Sequence, residues 1–212
     1  ERIDRQIQQR TAMLTGVSHD LRTILTRFKL QVALGGDNQE NEEMQRDIDE
    51  MQRMLQGYLD FAKGESGEDM EEISLRDLFV RHMNEAKLKG KKYSINCPEK
   101  MTIRARPNAL SRLIGNLVTN AFRHAQSVKV TAEDDGQDTL IFVDDNGSGI
   151  PKSKLEEVFK PFTRLDEARN QDEGGTGLGL SIARDIARLH GGDIKLEKSP
   201  MGGLRATARL PH

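Results

Sequence analysis

The strongest constraint on how this chain folds is a pair of apolar stripes in its first 63 residues. Leu14, Val17, Leu21, Ile24 and Phe28 step by three and four, the spacing of a heptad seam. Met44, Ile48, Met51, Leu55, Tyr58 and Ala62 repeat that spacing, and Gly35-Gly36-Asp37-Asn38 between the two runs suits a short turn joining antiparallel helices. One hairpin with a single stripe per helix buries little of it. Two copies can bury both stripes in a four-helix bundle, so a homodimer through residues 1–63 is expected.

With Leu14 and Leu21 at heptad position a, and Val17 and Ile24 at d, His19 falls at the outermost position f. Asp20 adjoins it, and Thr23 lies one turn further along the same side. A histidine on the outer face of a helix is ordinarily a solvated polar residue. Its meaning here depends on the rest of the chain.

The remaining length leaves room for a second domain with a sizeable core. Charged residues make up 31% of the sequence and the net charge is −2, so there is no bulk attraction to nucleic acid. No run of roughly 18 apolar residues spans a membrane, and no signal-peptide pattern opens the chain. The start, Glu1-Arg2-Ile3-Asp4, already has helical character, as expected of a piece of something longer. Cys97 is the single cysteine, which excludes an intramolecular disulfide and suits a small strand residue in a reducing compartment.

Gly64 to Asp69 is an acidic, glycine-containing break and reads as a linker (64–69) before a second domain over residues 70–212. Ser74 with Asp77 resembles a capping box for a helix running toward Lys89. Tyr93, Ile95 and Cys97 alternate with polar residues as in a half-buried strand. Pro107 opens a helix to about Ala125, strands are expected at Val128–Ala132 and Thr139–Val143, and a second long helix follows Gly177. Asp193–Lys198 and Leu204–Leu210 form a final hairpin. Without regular βαβ alternation, this mixture implies an α+β layered domain.

Three stretches carry chemistry. Asn116, Asn120, Arg123 and His124 share one face of the Pro107 helix, where carboxamide oxygens suit a hard cation and Arg123 a phosphate. Asp145, in Asp144-Asp145-Asn146-Gly147-Ser148-Gly149-Ile150, ends an apolar strand and can accept from the exocyclic amine of adenine while glycines let the base approach the backbone. Gly174-Gly175-Thr176-Gly177-Leu178-Gly179-Leu180 leads into a helix and can present backbone N–H groups to phosphates. It matches neither the P-loop nor the Rossmann spacing. The polar segment Asp166–Glu173, lacking apolar periodicity, reads as a lid that orders over nucleotide.

These residues resemble the cytoplasmic catalytic core of HisKA-type sensor histidine kinases. Ser18 to Thr23 is similar to the phosphoacceptor box, Asn116 to His124 to the N box, and Asp145 to Ile150 to the first glycine box. Val158 to Arg164 is similar to the F box and Gly175 to Leu180 to the second glycine box. The resemblance covers essentially the whole chain. It implies a dimerisation and histidine phosphotransfer domain over 1–63, followed by a Bergerat (GHKL-type) α/β sandwich that binds ATP and Mg2+. His19 would accept the γ-phosphoryl group, Asp20 would orient it or take its proton, and Thr23 would serve phosphatase chemistry on a response-regulator receiver, the expected partner. Asn116 and Asn120 would hold the metal. Asp145 would bind adenine, and Arg123 and Arg164 phosphates; His124, Gly147, Gly149, Phe162, Gly175, Thr176, Gly177, Leu178 and Gly179 would complete the nucleotide site. The parent would be anchored in a bacterial inner membrane through a segment outside this chain. One departure is Ile24, where the family usually has a proline; a straighter, more stable first helix is expected. A mechanical ATPase of the same fold, or a non-enzymatic scaffold that docks a receiver, are the competing readings.

Overall fold

The computed structural model describes residues 23–35, 40–41, 44–45, 48, 51–52, 68–88, 90–163 and 177–212. His19, Asp20, Arg164, Gly175, Thr176 and the segment expected as a lid lie outside the described residues. The chain divides into two units between Ser66 and Gly67.

In the first unit, residues 23–34 are helical and the chain turns at Gly35, whose N–H donates to the Val32 carbonyl at 3.0 Å. Residues 40–41, 44–45, 48 and 51–52 are also helical. Gly35 packs so closely on the Asn41 side chain that an added Cβ would lie 2.9 Å from its carboxamide nitrogen. Val32 and Ile48 are buried, but Ile24, Phe28, Met44 and Met51, all on the heptad seam, remain 42–52% exposed. Most of the described seam residues are therefore left in water.

The second unit is a five-stranded sheet covered by helices. Its elements run β1 (Glu71–Ser74), α1 (Leu75–Leu88), β2 (Lys92–Asn96), β3 (Thr102–Ala105), α2 (Pro107–His124), β4 (Ser127–Asp134), β5 (Asp138–Asp145), two 3-10 turns (Lys152–Lys154 and Glu157–Phe159), α3 (Gly179–Leu189), β6 (Asp193–Lys198) and β7 (Leu204–Pro211). The main sheet has the order β2-β4-β5-β7-β6, with β2 and β4 parallel and the other pairs antiparallel. Strands β1 and β3 form a separate antiparallel ribbon that the sequence reading did not anticipate, because four residues are too few to display a period. Alternation sets the layers. Ile141 and Val143 of β5 and Leu204, Ala206, Ala208 and Leu210 of β7 point into the core, where Leu110, Leu113, Ile114 and Leu117 of α2 and Ile182, Ala183 and Ile186 of α3 meet them.

Helix α1 starts as anticipated, the Asp77 N–H donating to Ser74 Oγ at 3.3 Å. Helix α2 has no cap from Arg106, the residue before Pro107. Glu68 caps it instead: Oε1 accepts from the Asn108 N–H at 2.8 Å and Oε2 from the Ala109 N–H at 3.3 Å, placing a carboxylate at the positive end of the helix. Arg106 Nε in turn donates to the Glu68 carbonyl at 3.1 Å. The segment read as a linker thus contributes Glu68 to the fold of the second unit.

Helix α3 is held by Arg184. Its guanidinium meets Asp193 Oδ1 at 2.8 Å and Glu156 Oε2 at 2.8 Å, and lies 4.2 Å from the centre of the Phe159 ring. Hydrogen bonding from Arg184 holds the Asp193 carboxyl down to about 2, against a smaller opposing effect of burial. Because the folded value lies below the unfolded value of about 3.9, the associated stability is complete above about pH 5 and is lost as pH falls through about 2. Asp193 is 41% exposed, so water screening limits the gain to about 1 kcal/mol or less. Asp193→Asn should therefore lower the urea midpoint at neutral pH, with the difference from the parent closing as the pH approaches about 2.

Candidate nucleotide-binding site

The apolar run of β5 delivers Asp145 to the sheet end with its side chain on the helix-facing side, 3% exposed. Such a carboxylate needs hydrogen-bond donors. Oδ1 accepts from the Gly147 N–H at 2.8 Å and the Leu204 N–H at 3.1 Å, while the Asp145 carbonyl accepts from the Gly203 N–H at 3.2 Å. These hydrogen bonds all engage Oδ1 and the main chain. The second oxygen, Oδ2, has the chemistry to accept an amine hydrogen.

Glycine is required around this carboxylate by close approach. A Cβ at Gly147 would lie 2.5 Å from the His124 carbonyl oxygen, and one at Gly203 would run into Asp145 Oδ1. Asn146 joins the same loop to the end of α2, its Oδ1 accepting from the Gln126 and Ser127 N–H groups at 3.2 and 2.9 Å. This ties the α2 terminus, with Arg123 and His124 both exposed, to the Asp145 loop. Gly149 continues the loop in the left-handed region at φ 71°, against the Gly203 backbone.

The other half of the site is formed by α2 and α3. Asn116, half-buried on α2, faces the start of α3: a Cβ at Gly179 would be 3.8 Å from Asn116 Oδ1. The Asn116 amide nitrogen is buried with no hydrogen-bond partner among the described residues. At the N-terminus of α3, Leu178 provides no side-chain cap, and Ser181 Oγ turns back to donate to the Leu178 carbonyl at 2.8 Å. First-turn N–H groups of such a helix present partial positive charge to an anion. Asn120 is half-buried one turn beyond Asn116.

Phe162 joins the F-box segment to the second glycine segment by donating its N–H to the Gly177 carbonyl at 3.0 Å. Phe162 itself has φ 63°, a costly conformation for a bulky residue, and the residue is 53% exposed. Leu178 beside it is buried. Among the sequence-derived candidates, the structure therefore brings Asp145, Gly147 and Gly149 into one loop cluster, and Asn116 with Gly179 and Phe162 with Gly177 into contacts. Asn146, Gly203 and Leu204 were missed as contributors. The Gly202-Gly203 pair was the available signal, but backbone N–H groups acting across 59 residues leave no side-chain pattern.

A buried carboxylate in a glycine loop, a carboxamide helix and a helix start without a side-chain cap beside one α/β sheet define a nucleotide-binding domain. Residues 105–212 match the family described as histidine kinase-, DNA gyrase B- and HSP90-like ATPases, and residues 9–67 match the His kinase A phosphoacceptor domain. The chain belongs to the HisKA-type sensor histidine kinases. It is 38% identical over its whole length to the sensor histidine kinase GtrS of Pseudomonas aeruginosa, and 33% identical over 99% of its length to the sensor histidine kinase CpxA of Escherichia coli K12. It spans 44% and 48% of those relatives, about half of each. The crystal structure of the ATP-binding domain of PrrB from Mycobacterium tuberculosis covers 68% of this chain and 97% of its own, with 31% identity and a TM-score of 0.56. The α/β sheet domain is accordingly of the GHKL type, and no described helix is long and apolar enough to cross a membrane.

Gly147→Ala should be more damaging than a surface glycine substitution, since the contacted His124 atom is backbone. A loss of about 1–3 kcal/mol, the usual range for overpacking, is expected in denaturant unfolding, together with weaker ATP binding by titration.

Proposed function

We propose that this chain is the catalytic core of a two-component sensor kinase: it binds Mg-ATP in residues 70–212, phosphorylates His19 in a homodimeric helical bundle built from residues 1–63, and passes the phosphoryl group to an aspartate of a receiver domain. The observation that carries the nucleotide half is the buried Asn116 amide, without a partner among the described residues, beside an α3 start that has no side-chain cap. The exposed seam residues Ile24, Phe28, Met44 and Met51 support the dimer, because a second hairpin would remove them from water.

Asp145 Oδ2 would accept the adenine amine, and the α3 N-terminus with Arg123 and Arg164 would face the phosphates. The carboxamides of Asn116 and Asn120 suit a hard cation, since either group can turn its oxygen toward the metal; bound Mg2+ would neutralise charge on the β- and γ-phosphates. His19 attacks the γ-phosphorus with a neutral ring nitrogen. A P–N bond forms as the bond to the β-phosphate oxygen breaks, ADP leaves, and Asp20 takes or orients the proton on the other nitrogen. Thr23, exposed on the helical run 23–34, would orient water for the opposing removal of phosphate from the receiver.

With γ-labelled ATP, the chain should acquire acid-labile, base-stable label that disappears in His19→Gln. ATP hydrolysis without label would point to a mechanical ATPase, and absence of both label and nucleotide binding to a scaffold. Thr23→Ala should retain autophosphorylation and slow dephosphorylation of a phosphorylated receiver; unchanged dephosphorylation would remove Thr23 from that role.

A further inference from the structure

Behind the Asp145 loop, on the sheet face away from the helices, lies a buried ionic cluster that no part of the proposed reaction uses. Consecutive residues of β5 point to opposite faces, so Asp144 faces outward while Asp145 faces the site. Asp144 is nonetheless 2% exposed, covered by its own partners. Arg205, its register neighbour on β7, donates from Nε to Oδ1 and from Nη2 to Oδ2, both at 2.8 Å. Ser199 Oγ donates to Oδ1 at 2.9 Å. The Arg205 guanidinium also covers the Phe142 ring, 4.8 Å from its centre.

Ser199 and Arg205 bracket the β6–β7 turn. Ser199 closes that turn on itself, its N–H donating to the Gly203 carbonyl at 2.9 Å and its Oγ accepting from the Met201 N–H at 3.0 Å. The same turn supplies the Gly203 and Leu204 N–H groups to Asp145. The two neighbouring carboxylates therefore grip one turn from opposite sides of the sheet.

We infer that Asp144, Arg205 and Ser199 are positioning residues for nucleobase selection. By clamping the β6–β7 turn, they keep the Leu204 N–H on Asp145 Oδ1 and so aim Oδ2 at the amine of an adenine. This rests on the assignment of Asp145 to the base. Guanine carries a carbonyl where adenine carries that amine, so a correctly aimed carboxylate attracts one base and repels the other. Releasing the clamp lets the carboxylate rotate, which lowers discrimination between bases while leaving the phosphate-binding elements of α2 and α3 in place.

The test compares ATP and GTP dissociation constants by competition with a fluorescent nucleotide on the full chain, with folding checked by circular dichroism. Arg205→Met should weaken ATP binding about tenfold, on the scale of one charge-assisted hydrogen bond, with little change for GTP. Ser199→Ala should shift the ATP/GTP ratio in the same direction by less, and serves if Arg205→Met fails to fold. Arg205→Lys, which keeps the charge but cannot bridge both carboxylate oxygens, should fall between parent and Met. The control is Arg209→Met, which removes a β7 arginine paired with Asp138 at 3.1 Å at the other end of the strand; it should leave the ratio unchanged. An unaltered ratio in folded Arg205→Met and Ser199→Ala, or an equal drop in Arg209→Met, overturns the inference. Asp145→Asn separates the two layers: if it leaves the ratio intact, the base assignment fails and the inference with it, whereas a collapsed ratio there alongside an intact one in the clamp variants refutes only the clamp.

Discussion

Burial of Asp145 at the end of β5 is the constraint around which the second unit is arranged. A carboxylate removed from water is expensive unless donors meet it, and the fold meets it with backbone N–H groups from two loops distant in sequence. That requirement brings the β5 loop and the β6–β7 turn together and leaves no room for side chains at Gly147 or Gly203. Asn146 then extends the arrangement to the end of α2.

Antiparallel packing of α2 against α3 is the second organising relation. At one end Asn116 approaches Gly179. At the other, the Arg106 N–H donates to His190 Nε2 at 3.2 Å, while His190 Nδ1 lies 2.8 Å from the Ile186 carbonyl. Nε2 of the ring thus serves as the acceptor for a backbone N–H. Glu68 caps the same end of α2. Both helices are thus fixed at the end away from the nucleotide motifs, and the motif ends are left, among the described residues, with an unpaired amide and a helix start without a side-chain cap.

The first unit follows the opposite logic. Gly35 bonds back to Val32, and Val32 and Ile48 are buried, yet Ile24 and Phe28 stay in water. Ile24 itself sits within a helical run, where it adds apolar surface at a position at which a proline would remove a backbone hydrogen bond. Exposed apolar residues on such a seam are the physical reason behind the proposed dimer.

Much of this was legible before any coordinates. The periods of three and four, the α2 start at Pro107, the Ser74 cap and the alternating strands of the final hairpin are local patterns, and local patterns survive in a linear sequence. The five motifs, read together, carried the family. What escaped was non-local: the β1–β3 ribbon, the cap that Glu68 supplies to a helix 40 residues away, the strained Phe162 backbone facing Gly177, and the Asp144–Arg205–Ser199 clamp. Residue chemistry by itself determined that Asp145, Asn116 and the glycines were candidates for holding a nucleotide. Tertiary structure alone decided which backbone N–H groups occupy Oδ1 of Asp145 and that its neighbour faces the other way into an ion pair, because hydrogen-bond partners across a sheet are chosen by strand register and not by separation along the chain.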